Sequence, residues 1–246
     1  MKTIDINCDL GEGIGNDELL MPYISSANIA CGYHAGDENT IKQTVALCKK
    51  YNVAVGAHPS FPDTENFGRT DMLLPLDEVY ELVKIQIALV QKIAKEYGAT
   101  VHHVKPHGAL YNMAAREKPM AAAIALSVID SDRNLVLFGL SNSCLVSEGK
   151  GHGLKTASEV FADRTYKDDG SLSPRHKPGA LIETTEMAVS QVLQMVKKGT
   201  VTSVAGKKVP IKADTICIHG DGEHAVEFAK AIHEALVKEG VGIKSR

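Results

Sequence analysis

The chain has 246 residues, 44% of them apolar and 23% charged, with no tryptophan and a formal net charge of −3. That length suits one domain spanning 1–246, and the composition is that of a folded globular protein rather than a disordered one. A mildly acidic chain exerts no pull on a phosphate backbone or an anionic bilayer, and no run approaches the ~18 apolar residues of a membrane span, which argues against nucleic-acid and membrane partners.

Carboxylates enter the first ten residues, MKTIDINCDL, too early for the apolar core of a secretory leader, so a cytoplasmic protein is expected. The five cysteines lie far apart, with no CxxC spacing, and read as reduced thiols filling the core. In chain order, short β-type runs alternate with helical stretches. TIDINCD (3–9), ANIAC (27–31), VAVGA (53–57), TVHHVK (100–105), LVLFG (135–139), KTASEVFA (155–162) and TICIH (215–219) read as strands. Between the third and fourth, Val79, Leu82, Val83, Ile87, Val90 and Ile93 recur at helical spacing over 76–97. The same spacing returns less cleanly over 182–198, and again at Ala225, Phe228, Ala229, Ile232, Ala235 and Leu236. Strand–helix alternation demands parallel pairing with crossovers. Within the first strand Asp5, Asn7 and Asp9 alternate with Ile4, Ile6 and Cys8; in the fourth, His103, Lys105 and His107 share a face. An open doubly wound sheet, covered on both faces, would read as continuous apolar runs. A closed α/β barrel of seven strands, polar inside near its mouth, fits better.

Two long irregular segments, 59–75 and 162–179, carry aromatic and arginine residues among turn formers, as ordered lids do. In α/β barrels the active site lies at the carboxyl ends of the strands. Those ends carry Asp9 and Glu12, His34 and Asp37, His58, Lys105 and His107 with Tyr111 beyond, Glu159, Asp163 and Arg164, and His219, Asp221, Glu223 and His224. His34, His58, His107 and His219, from four separate strand ends, suit general-base or metal-ligand roles, with Asp9 as a candidate carboxylate ligand; spacing alone does not separate a metal site from a hydrogen-bonded network. Lys105, on an interior face, must be paired or neutralised; it reads as an ion pair with Asp9 or Asp5, a carboxylate or carbonyl binder, or an amine base of lowered pKa. Arg69 and Arg164 offer bidentate grips for a substrate carboxylate. Asp221 reads either as a cap of the last helix or as part of an anion-holding turn. The run Gly11-Glu12-Gly13-Ile14-Gly15 lacks the spacing of a dinucleotide loop and reads as a tight turn. No Walker A sequence and no GxSxG elbow is present.

DINCDLGEG, SSANIACGYHAGD, VGAHPSFPD, ENFGR, HVKPHGALYN, EVFADRTY and ICIHGDGEHA closely resemble the LamB/YcsF family, whose members are described as one of the subunits of 5-oxoprolinase. The resemblance implies a seven-stranded (β/α) barrel of the glycoside hydrolase/deacetylase type. It implies ATP-dependent opening of the 5-oxoproline lactam to L-glutamate, in an assembly with two partner subunits that handle the nucleotide. Asp9, His58, Lys105 and His107 are the expected catalytic groups. Asp9 or His58 would act as base, with Lys105 and His107 stabilising negative charge. Glu12, Asn28, His34, Asp37, Arg69, Tyr111, Glu159, Arg164, His219 and Asp221 are the expected substrate contacts. Deacetylases of this fold often use an Asp/His/His metal site whose motif is not reproduced here, so a divalent metal on Asp9, His34, His58 and His107 stays open. A stand-alone metal-dependent amidohydrolase or deacetylase is the competing reading.

Overall fold

The computed structural model describes residues 2–246. Its strands are β1 Thr3–Leu10, β2 Ser26–Ala30, β3 Ala54–His58, β4 Val101–Val104, β5 Val136–Leu140, β6 Lys155–Phe161, β7 Thr200–Thr202, β8 Lys208–Pro210, β9 Thr215–His219 and β10 Gly242–Ile243. The helices are α1 Asp17–Leu20, α2 Glu38–Tyr51, α3 Leu76–Glu96, α4 Gly108–Arg116, α5 Lys118–Ser131, α6 Cys144–Gly151, α7 Thr185–Lys198 and α8 Ala225–Lys238. Parallel pairing runs β1-β2-β3-β4-β5-β6-β9, and β9 pairs with β1 in turn, so seven strands close into a barrel. The expected (β/α) barrel is the observed fold. Residues 200–210 add a small antiparallel hairpin, and β10 extends the start of β1.

Alternation along β1 sorts its side chains. Ile4, Ile6, Cys8 and Leu10 are buried in the hydrophobic layer between strands and helices. Asp5, Asn7 and Asp9 are equally buried but bond to groups from other barrel strands, so they point into the lumen. The apolar core is therefore the ring outside the barrel. On the long α3 the buried face comprises Val79, Val83, Ile87, Val90 and Ile93, the spacing that marked it in the sequence. Helix α5 escaped that test because its less buried positions Ala122, Leu126 and Ile129 are as apolar as the buried Met120, Ile124 and Val128, leaving no amphipathic stripe.

The lumen is filled with polar side chains. Asp5 accepts from Ser25 (2.5 Å), Ser26 (2.8 Å) and Thr215 (2.6 Å) at the closed end. Burial raises its carboxyl above the usual range, against the pull of those hydroxyls. One level up, Asn28 donates to both Asn7 and Asp9 (2.7 Å each), while His103 Nε2 lies 2.8 Å from Asn28 Oδ1. Gly56 makes room for this layer, since a Cβ there would fall 2.1 Å from His103 Nε2. Full hydrogen bonding is what makes a polar core tolerable, and it holds the strand ends rigidly in register. Among the described residues no helix is long and apolar enough to cross a membrane.

Candidate active site

Strand β4 ends at Val104, yet its ladder continues: Lys105 N donates to Ala57 O (3.0 Å) and His107 N to Pro59 O (2.8 Å). Pro106, which lacks an N–H, sits between them where no bond is needed. That extension carries Lys105 inward. Its Nζ lies 2.7 Å from Asp9 Oδ1, 3.0 Å from Glu159 Oε1, 3.0 Å from Cys217 Sγ and 3.3 Å from Asn7 Oδ1. Tyr111 donates to the other Glu159 oxygen at 2.6 Å. Burial opposes the charge on Lys105, but Asp9 and Glu159 outweigh it and hold the amine well above its ordinary value. The ion pair with Asp9 is the observed arrangement; an amine base of lowered pKa is not.

Above this triad lie the imidazoles. His58 Nδ1 donates to Lys105 O (2.6 Å), and His107 Nε2 donates to Phe67 O (2.9 Å). His34 Nδ1 meets Ser60 Oγ at 2.9 Å, and the Ser60 hydroxyl itself donates to Phe61 O, so it accepts from the ring. A carbonyl can only accept, so these partners fix the tautomer of each neutral ring. The remaining nitrogens, His34 Nε2, His58 Nε2 and His107 Nδ1, all turn toward one point beside Glu12. His58 Nε2 and His107 Nδ1 are 2.9 Å apart. His34 Nε2 and His107 Nδ1 are 3.3 Å and 3.7 Å from Glu12 Oε1, and Asp9 Oδ2 is 3.4 Å from His58 Nε2. Rings of His34 and His107 stack at 3.8 Å. Neutral, they would set lone pair against lone pair, so a shared proton or a cation belongs between them.

Charge separates the two carboxyls at this level. Burial works against ionised Asp9, but His58 and Lys105 more than offset it and hold that carboxyl well below the carboxylate range. Glu12 is pushed well above its usual value, by burial first and then by the charges of Asp9 and Asp221. His34 is held down to about 3, chiefly by burial and then by His58. Burial, with His34 and His58 as neighbours, likewise keeps His107 well below the ordinary histidine value. One ionised and one neutral carboxyl around a histidine cluster is a division suited to acid–base work.

Donor chemistry also tests the site for a metal. Glu12, His34, His58 and His107 each offer an atom within 4.8 Å of the others. Ligand atoms around a tetrahedral ion with ~2.0–2.1 Å bonds lie about 3.4 Å apart, which matches these spacings. Each ring also has its distal nitrogen anchored, as metal-bound imidazoles do. The set fits a divalent ion. A second grouping, Asp9, Cys217 and His219, does not, since two of its three members already face the Lys105 ammonium.

The rim completes the site. His219 donates from its ring and backbone to Asp163, at 2.8 Å and 3.0 Å to the same oxygen. Asp221 does not cap the last helix. Its Oδ2 accepts from Arg69 Nη2 (2.5 Å) and Arg175 Nη1 (3.3 Å), joining the two long loops across the mouth. Burial would raise this carboxyl, but Arg175, His219 and Arg69 hold it below the usual range. Asp9, Glu12, Asn28, His34, His58, Lys105, His107, Tyr111 and Glu159 thus form one connected cluster, with Arg69, His219 and Asp221 above it. Two expected contacts fall outside. Asp37 is exposed and caps α2 through Thr40 N, and Arg164 is committed to Ser173 O (2.6 Å) inside its own loop. Arg175 takes the place expected of Arg164, and no periodicity marked it in an irregular loop. Cys217 and Ser60 were also missed; only their position beside a strand end hinted at them.

A closed barrel of seven parallel strands, with a buried acid–base cluster at the carboxyl ends of those strands, defines the class: a (β/α)-barrel protein built like an enzyme of the deacetylase fold. The LamB/YcsF family model matches residues 4–246, and the chain belongs to that family. It is 52% identical over 250 residues to a 5-oxoprolinase subunit of Shouchella clausii (strain KSM-K16), covering 100% of this chain and 99% of that one. It superposes on the crystal structure of a lactam utilization protein from Thermus thermophilus with a TM-score of 0.93 at 42% identity, covering 100% of both chains. The solved structure of T48 deacetylase with substrate shares the fold, with a TM-score of 0.52 at 15% identity over 98% of this chain and 87% of that one.

Proposed function

We propose that this chain opens the lactam ring of 5-oxoproline to L-glutamate, as one component of an ATP-coupled assembly in which two partner subunits handle the nucleotide. The names of its relatives support the substrate, and the absence of a Walker A sequence supports placing the nucleotide elsewhere. The observation that carries the reading is the buried Lys105–Asp9 pair set directly beneath His58 and His107.

A five-membered lactam is an unactivated amide. Phosphorylation of its oxygen by the partners makes the ring carbon electrophilic. Water adds to that carbon and the carbon–nitrogen bond breaks. The nitrogen leaves as an amine after taking a proton, and a second water releases phosphate from the acyl phosphate. The facing nitrogens of His58 and His107 take the water's proton and share it between them, and ionised Asp9 balances the imidazolium, a contribution of roughly 10²–10⁴-fold. Neutral Glu12 supplies the proton to the leaving nitrogen. Every donor of Lys105 is already engaged, so it holds Asp9 in position rather than reaching substrate. Five cysteines without a disulfide support a reducing compartment, the cytoplasm. Reconstitution with the partner subunits and ATP tests the reading by following glutamate. His58→Gln and Asp9→Asn should each lose at least about 10²-fold. Folded variants turning over like the wild type would refute it.

The convergence of three tautomer-fixed imidazoles on Glu12 favours a second reading, a metal-dependent amidohydrolase. His34, His58, His107 and Glu12 would hold the ion, which supplies a Lewis acid and a bound water of lowered pKa. ATP-independent, chelator-sensitive amide cleavage by the chain alone would select this reading.

A further inference from the structure

The groups of the site are shut away: His34, His58, Lys105 and His107 are no more than 5% exposed. At the mouth above them a carboxylate is held between two arginines. Arg69 comes from the loop after β3, Arg175 from the loop after β6, and Asp221 from the turn after β9. Both guanidiniums converge on one oxygen, so neither makes a two-pronged pair and most of their N–H donors are uncommitted. The group carries an excess positive charge at the entrance. Asp221 itself is rigidly placed. His219 is the register partner of Asp9, and Gly220 packs so tightly on β1 that a Cβ would fall 2.2 Å from Asp9 O. Asn16 Nδ2 donates to Gly220 O at 2.8 Å. Arg69 is seated over the Phe67 ring at 4.7 Å, and Phe67 meets both His34 and His107 edge-on at 5.5 Å. Phe67 holds a positive φ of 56°, a strained backbone of the kind found at ligand clamps.

We propose that Arg69 and Arg175 form a carboxylate clamp that selects lactams bearing a free carboxylate, with Asp221 as its resident occupant until the substrate displaces it. The clamp rests on the lactam reading above and adds what that reading leaves open: how the site admits 5-oxoproline and rejects carboxylate-free lactams. Exchange of one carboxylate for another preserves the charge balance of the clamp. It also frees the two loops from the β9 turn, which gives the substrate its own means of opening the mouth.

Calorimetric binding of 5-oxoproline and of 2-pyrrolidinone, which lacks the carboxylate, to the full chain tests this. The wild type should prefer 5-oxoproline about 10- to 100-fold, the worth of hydrogen bonds to a charged group. Arg175→Gln should erase that preference by weakening 5-oxoproline far more than 2-pyrrolidinone. Asp221→Asn, by removing the competitor, should tighten 5-oxoproline several-fold, a gain that a merely structural tie cannot produce. Equal binding of the two lactams by the wild type, or weaker 5-oxoproline binding by Asp221→Asn, overturns the clamp and leaves the lactam reading standing. A wild-type chain that binds neither lactam overturns both.

Discussion

Replacing Lys105 by methionine removes the one ammonium that faces two buried carboxylates. Its Nζ lies 2.7 Å from Asp9 and 3.0 Å from Glu159, and the three side chains are 3%, 4% and 0% exposed. Deleting one partner of a buried pair costs about 3–5 kcal/mol, because the survivor stays buried and uncompensated. Two orphaned carboxylates place Lys105→Met at the upper end, about 4–5 kcal/mol at pH 8. The pH dependence should weaken. In the wild type Asp9 lies below its ordinary 3.8, so its contribution is complete above that pH and is lost as pH falls through the lower native value. Without the ammonium, His58 is left to oppose burial, so Asp9 moves back up from its depressed value and that contribution shrinks. The deficit should therefore be full above pH 3.8 and narrow as pH falls below it. Urea unfolding followed by circular dichroism from about pH 3 to about pH 8 measures both effects. The double variant Asp9→Asn/Lys105→Met should regain part of the loss, since fewer charges are left unpaired. A Lys105→Met protein within about 1 kcal/mol of wild type, or one whose deficit ignores pH, would refute the reasoning.

Three further expectations concern neighbouring features. Gly56→Ala should cost about 1–3 kcal/mol, because the new methyl meets the His103 ring at 2.1 Å; an unchanged thermal midpoint would contradict the packed lumen. Burial works against ionised Asp163, yet His219 outweighs it and holds the carboxyl at about 2 against its ordinary 3.8. That pairing contributes about 2 kcal/mol, present above pH 3.8 and lost as pH falls toward 2. Asp163→Asn should therefore be destabilised at neutral pH and converge on the wild type in acid; a constant gap between the two melting curves would count against this. Finally, the imidazole cluster predicts that Co²⁺ added to the purified chain gives visible absorption saturating at one equivalent, abolished by His107→Ala. A colourless titration would dismiss the metal reading.

Much of this molecule is written in local pattern. The period of two in Asp5, Asn7 and Asp9 placed carboxylates inside a barrel, and Asp9, Glu12, His34, His58, Lys105 and His107 from the strand ends meet there. Local pattern failed where a helix is apolar on both faces or where structure is irregular. Helix α5 carries no amphipathic stripe, Arg175 sits in a loop without repeat, and Asp37 follows a strand yet faces solvent as a helix cap. Periodicity reports which face of one element is buried, and nothing more. Whether Lys105 is a base or a locked counter-ion, and which nitrogen each histidine presents, depends on partners up to 112 positions away. Charge state and tautomer are set by the field and hydrogen bonds of those partners, which exist only once the barrel has closed.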